Sequence, residues 1–200
     1  MTAIDLGDGR SARSARTREA VVDALLALHA EGDLSPPARR VAARAGVALR
    51  TVYGHFSDLE TLYAEAGERQ RDRHARAGAG PRVDLPLATR VEAFCAARAT
   101  QLEALLPVMR ASRLREPFSA RLATNRARHV ASAVAEVGRV FAAELATEPD
   151  GGGQLREALV AATSPAVWEA LRSDRGLGPG EAAEVLRRTV TALLTPGGPP

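Results

Sequence analysis

The sequence predicts an all-α protein of about nine helices. Three observations lead there. Apolar residues recur at three- and four-residue intervals, as in Val21, Val22, Leu25 and Leu28, which places side chains on one face of a helix. Glycine, proline and capping residues punctuate these segments as helix stops and starts do. No stretch combines apolar–polar alternation with the turn chemistry of paired strands.

The elements follow in order. Residues 1–12 are small, polar and Arg-punctuated, and read as a flexible arm. A helix is predicted from about Arg13 to Glu31, ended by Gly32-Asp33. Ser35 can cap the next, roughly Pro37 to Ala45, because a first helical turn tolerates proline. Gly46 suits a left-handed stop. Two residues then lead into a short helix, Leu49 to His55. Ser57 with Glu60 has capping-box spacing and opens a helix that turns Leu59, Leu62, Tyr63 and Ala66 inward. Its charged distal part, Glu68 to Arg76, is expected in solvent.

Gly78-Ala79-Gly80-Pro81 is the expected joint, dividing the chain into parts 13–77 and 78–195, with a tail at 196–200. Beyond it the patterns predict helices over about Leu85–Leu106, Phe118–Ala146, Gln154–Arg175 and Glu181–Leu194. Pro107 and Pro117 punctuate a short segment, and Ser164-Pro165 marks a kink or restart.

The chain has 200 residues, 46% hydrophobic and 26% charged, which excludes disorder throughout. A single cysteine, Cys95, excludes an intrachain disulfide and a cysteine metal cluster, and reads as a small buried residue. No apolar run approaches the ~18 residues of a membrane helix. Asp5 and Asp8 sit where a secretory signal would be apolar, so a cytoplasmic location is expected. The four histidines (His29, His55, His74, His129) lack paired ligand spacing. With no phosphate loop after a strand and no nucleophile elbow, no enzyme activity, metal or cofactor is expected.

Net charge is only +3, and every basic residue is arginine. Its distribution says more. Ser35 to Ser57 carries Arg39, Arg40, Arg44 and Arg50 and no acid. A local concentration of positive charge is the footprint of a nucleic-acid contact. The same stretch meets the steric demands of a helix-turn-helix. Ala42 is small where the second helix crosses, and Gly46 tolerates positive φ in the turn. Val41, Val47, Val52 and Phe56 supply facing anchors.

These residues resemble the DNA-binding domain of the TetR/AcrR family of transcriptional regulators. The resemblance rests on Val41-Ala42, Gly46-Val47, Thr51-Val52-Tyr53 and His55-Phe56, and extends over about Val21 to Tyr63. Ala162 to Arg172 is also similar to the penultimate helix of some members. The resemblance implies a homodimeric repressor on a palindromic operator of double-stranded DNA, released by a small molecule. It implies a dimer interface in the last two helices. Leu155, Leu159, Val167 and Leu171, with Leu186, Val190, Leu193 and Leu194, have the apolar pattern for that role.

By the same resemblance Thr51, Tyr53 and His55 match phosphate-holding positions. Leu49 would touch a thymine methyl, and Arg50 a guanine edge. Arg39 would reach a base or phosphate, with Arg40 and Arg44 weaker phosphate candidates. Arg10, Arg13 and Arg16 would lie along the backbone or minor groove. Three positions depart from the family pattern. Ala48 and Pro37 stand where a Ser or Thr often caps, and Leu59 where many members have a phosphate-binding Lys.

Ligand-pocket candidates are Phe94, Arg98, Met109, Phe118, His129 and Trp168. Phe94, Met109 and Phe118 at helical spacing fit a packed core equally well, and Trp168 fits a packing anchor. The competing function is a helical protein-interaction module without specific DNA binding. Salt-sensitive, sequence-dependent DNA affinity separates the two.

Overall fold

In the computed structural model, which describes residues 5–76 and 80–195, helix follows helix, and no strand forms among the described residues. The all-α reading is therefore met. The helices are α1 (Asp5–Ala30), α2 (Ala38–Ala45), α3 (Leu49–His55), α4 (Leu59–Arg76), α5 (Leu87–Arg113), α6 (Ala120–Val140), α7 (Ala142–Leu145), α8 (Gly153–Ala162), α9 (Pro165–Glu169) and α10 (Pro179–Leu194). A 3-10 turn covers Glu116–Phe118, and a π turn covers Ala170–Asp174. The tail 196–200, the first four residues of the arm and 77–79 of the joint lie outside the described residues.

The described helices form two compact units. The first comprises the chain up to Arg71 together with Pro107–Asn125. Val21, Val22, Leu25 and Leu28 of α1 meet Val41, Ala42, Val52, Phe56, Leu62, Tyr63 and Ala66 in one core. Val108, Ala111 and Leu122 complete it, which is why 107–125 belongs here and not with the C-terminal part that the sequence pattern suggests. Each buried Val, Leu or Phe side chain contributes roughly 1.5–3 kcal/mol on burial. That gain offsets the ~3 kcal/mol a proline costs inside a helix. Accordingly α5 runs through Pro107 to Arg113 and does not stop at Leu106.

Other boundaries differ from expectation for local reasons. Helix α1 begins at Asp5, so Arg10, Arg13 and Arg16 stand on a helix, not on a separate arm. Residues 11–16 are exposed or nearly so; apolar periodicity reports burial, and a solvated helical extension carries none. Ser35 does not cap α2. The N-cap is Pro37, extended at φ −68°, ψ 150°, with no side-chain bond. The steric conflict of each proline with the residue before it delays the helix past Pro37. For α4 the cap is Asp58, whose Oδ1 accepts from the Thr61 amide at 2.7 Å. Ser57 donates to Asp58 Oδ2 at 2.8 Å in place of the expected Ser57–Glu60 box. The distal α4 is less solvated than its charge implies. Arg69 is only 21% exposed and bonds the Glu19 carbonyl and Asp23 of α1.

The second unit comprises Asp72–Leu106 and Arg126 onward. Its core joins Val91, Phe94, Cys95 and Leu102 of α5 to Val137, Val140, Phe141, Leu159, Trp168, Leu186 and Val190. Phe94 and Phe141 meet edge to face, centroids 5.2 Å apart, a favoured aromatic geometry. Arg90 is buried and satisfied by the Leu85 and Val140 carbonyls and a bidentate pair with Glu144. Ser164 restarts the helix as expected, accepting from the Val167 amide with Pro165 at the first position.

The turn into α8 depends on Gly152. Its φ is +78°, and a Cβ there would stand 2.6 Å from the Leu145 carbonyl oxygen and 2.8 Å from Leu145 Cα. Those are backbone atoms and cannot swing aside. Gly152→Ala therefore adds a left-handed penalty of about 1–2 kcal/mol to an overlap of comparable cost. The expected loss is about 3 kcal/mol, read as a lower urea midpoint. Gly46→Ala meets nothing within 4 Å and is expected to lose only the conformational part, ~1 kcal/mol. Equal midpoints for the two variants would contradict this assignment.

Candidate nucleic-acid interface

The site is built by α2, α3 and their two-residue joint, all in the first unit. Helix α2 ends in a Schellman turn. The Gly46 amide donates to the Ala43 carbonyl and the Val47 amide to the Ala42 carbonyl, with Gly46 at φ +67°. Only a residue at ease with positive φ closes the helix this tightly. Val47 and Ala48 then suffice to start α3. Val41, Val52 and Phe56 are at most 1% exposed and Ala42 only 3%, so the predicted anchors lock α3 across α2.

What α3 leaves outward is the opposite face. Leu49 is 43% exposed and Tyr53 52%. Arg39 and Arg50 are exposed, while Thr51 and His55 are half-buried beside them. The structure thus gathers all six predicted contact residues on two adjacent helices, with no acid between Ser35 and Ser57. The weaker candidates are already engaged. Arg40 pairs with Asp33 at 3.0 Å and Arg44 with Glu31 at 2.6 Å. The Arg44 hydrogen bond holds the Glu31 carboxyl below its ordinary range. The Arg44–Glu31 pair is solvent-open on both sides, and exposed pairs of this kind contribute little, typically under about 1 kcal/mol.

Arg18 of α1 is a positioning residue with no signature in the sequence. Its guanidinium donates to the His55 carbonyl and pairs with Glu65. It also lies 4.3 Å over the Phe56 ring. It therefore satisfies a last-turn carbonyl of α3 and fixes where that helix ends. The partners are 37 and 47 residues away, so no local spacing could reveal it.

The six pocket candidates divide between the two units. Phe94 and Trp168 are core, 0% and 1% exposed, and the Trp168 indole donates to Glu103 at 2.9 Å. Met109 and Phe118 belong to the first unit, where Met109 is half-buried and Phe118 is 83% exposed. His129 is half-buried in the second. Arg98 is buried there, donating to Gln101 at 2.9 Å and Glu136 at 2.7 Å, with its Nε unpartnered. Burial lowers its pKa, opposed by Glu136. A groove of about 440 Å³ in the same unit is lined instead by Leu87, Val91, Arg187, Thr191 and Leu194. Cys95 is buried, its thiol pushed up to about 12 by desolvation, as an inert packing residue would be.

The chain shares its fold with solved transcriptional regulators. One from Rhodococcus superimposes with a TM-score of 0.72 at 22% identity, over 88% of this chain and 95% of that one. A Mesorhizobium loti protein assigned provisionally to the TetR family gives 0.66 at 20%, over 91% and 96%. A Pseudomonas aeruginosa protein described provisionally as a transcriptional regulator gives 0.63 at 19%, over 88% and 89%. No protein-family model matches the sequence, and no curated protein matches it significantly.

Proposed function

We propose that the chain is a ligand-responsive, DNA-binding transcriptional regulator. The observation that carries the reading is the exposed, acid-free face of α2 and α3 with Arg39, Leu49, Arg50 and Tyr53 outermost. The fold shared with solved regulators supports it. Helix α3 enters a major groove, Arg50 reads a base edge, and Arg39, Thr51, Tyr53 and His55 hold the flanking backbone. The chain acts in the cytoplasm as a repressor; among the described residues no helix is long and apolar enough to cross a membrane.

So small a reading surface binds weakly alone, and a second copy on the same duplex raises affinity by orders of magnitude. We therefore read the functional form as a homodimer through the last helices, α8 to α10. The surface differs from the sequence expectation. Leu159, Leu186, Val190 and Leu194 are buried inside the second unit, so they cannot also face a partner, and Leu186→Arg would disrupt that core. The outward stripe on α10 is Val185, Thr189 and Ala192; Val167 of α9 and Ala161 of α8 are exposed as well. Val185→Arg/Ala192→Arg is expected to sediment as a monomer with unchanged helicity. A dimeric double variant would remove this face from the interface.

The ligand is assigned to the second unit, with Arg98 as the candidate anchor of an anionic group. Its charge is paired with Glu136 and its other terminal nitrogen donates to Gln101, which leaves the buried Nε as the donor without a partner. Selection of bound duplexes from a random library tests the whole reading. A palindrome with half-sites about 10 base pairs or a multiple apart is expected. No enriched sequence would favour a helical interaction module.

A further inference from the structure

Beyond the C-terminal end of α3 the surface changes sign. Ser57 is followed by Asp58 and Glu60, and Asp58 is exposed. A duplex lying along α3 would pass this acidic shoulder, where a carboxylate repels phosphate. Asp58 cannot be neutralised readily. Its carboxyl is held below the ordinary range first by the Thr61 amide, then by the Ser57 and Thr61 hydroxyls.

One cation reaches this turn from far along the chain. Arg121, at the start of α6 and within the first unit, donates from a terminal guanidinium nitrogen to Thr61 Oγ1 at 3.2 Å. Its charge also acts on Asp58. The side chain is otherwise exposed. A guanidinium has five donors in a fixed fork, and one is used here. Leu122, the next residue, is 3% exposed in the core of the unit. That anchor fixes the backbone from which Arg121 extends.

We propose that Arg121 is a further DNA-contacting residue: it offsets Asp58 and binds backbone phosphate beside the C-terminal end of α3. This rests on the DNA-binding reading above and names a contact from 107–125, outside the helix-turn-helix. It carries no sequence information, since phosphate contacts are common to all duplexes.

The full-length protein titrated onto a labelled mixed-sequence duplex of roughly 30 base pairs, in rising salt, tests this directly. Arg121→Ala is expected to weaken binding about tenfold and to flatten the log–log salt slope by about 0.9 per contacting copy. Arg121→Lys keeps the charge and most of the affinity. Asp58→Asn keeps the helix cap and is expected to tighten binding. Wild-type binding with an unaltered slope in Arg121→Ala overturns the inference and leaves the DNA-binding reading standing. Weaker binding with an unaltered slope also overturns it, because a merely structural role would lower affinity without removing a phosphate contact. An Asp58→Asn variant that binds no tighter shows that the shoulder does not face DNA, and overturns the inference in the same way. Absence of wild-type binding at low salt refutes the DNA-binding reading itself.

Discussion

Arg50→Ala/Tyr53→Ala is expected to lose specific operator binding by two orders of magnitude or more while its thermal midpoint stays within a few degrees. Arg50 is exposed and Tyr53 is 52% exposed, and neither joins the core of the first unit. Surface changes away from packing usually cost under about 0.5 kcal/mol of stability. Their binding roles are different in kind. A bidentate arginine–guanine pair is worth about 1–3 kcal/mol of discrimination, and a dimer presents it twice. Arg50→Ala alone should relax preference at one position of each half-site. Tyr53→Phe removes only the hydroxyl, so it should weaken binding evenly across sequences, as a phosphate contact does. Competition titration with single-base operator variants separates these patterns. A double variant that keeps operator preference would place recognition elsewhere.

The second large effect is on stability against acid, and it centres on His29. The side chain is 2% exposed, and neither ring nitrogen has a hydrogen-bond partner among the described residues. It packs on Tyr63, centroids 5.1 Å apart, and Arg115 covers Tyr63 at 4.4 Å. Desolvation lowers the pKa from 6.5 to about 4; Asp33 opposes this and the Arg115 charge adds to it. The imidazole is therefore neutral in the folded chain at pH 7. Unfolding frees it to take a proton below about pH 6.5, so the unfolded state binds more protons between pH 6.5 and 4. Stability is highest above that window and falls as pH drops through it, by about 3 kcal/mol in all. Below about pH 4 both states are protonated and this contribution levels off. His29→Leu, similar in size and without orphaned nitrogens, should remove that part of the slope. It should also cost little or nothing at pH 7, since deleting an unpaired buried polar group can stabilise. Urea midpoints measured from about pH 7.5 to 4 check this. Parallel profiles for wild type and His29→Leu would contradict it.

The helix-turn-helix was legible because its information is local. Gly46 at a left-handed stop, small Ala42, and the Val41, Val52 and Phe56 anchors all fall within sixteen residues, from Val41 to Phe56. Helix spacing alone then turns Arg50 and Tyr53 outward. What was not legible is tertiary. Arg18 reaches α3 across 37 residues, and Arg121 reaches α4 across 60. The spacing of Leu186, Val190 and Leu194 suggests a partner-facing stripe, but it is the spacing of any buried helical face, and these residues are buried within their own chain. Periodicity says that a face is covered, not whether its own chain or a second copy covers it. The pocket suffered similarly. Phe94 and Trp168 pack into one core, while Phe118 stands exposed in the other unit.

The most direct measurement is a fluorescence-anisotropy titration of the full-length protein against DNA upstream of its own coding region, with a shuffled duplex as competitor, in rising salt. The expected result is tight, steeply salt-dependent binding to the natural sequence that the shuffled duplex displaces poorly. No binding to either duplex at low salt would contradict the assignment of α2 and α3 as a DNA-reading surface.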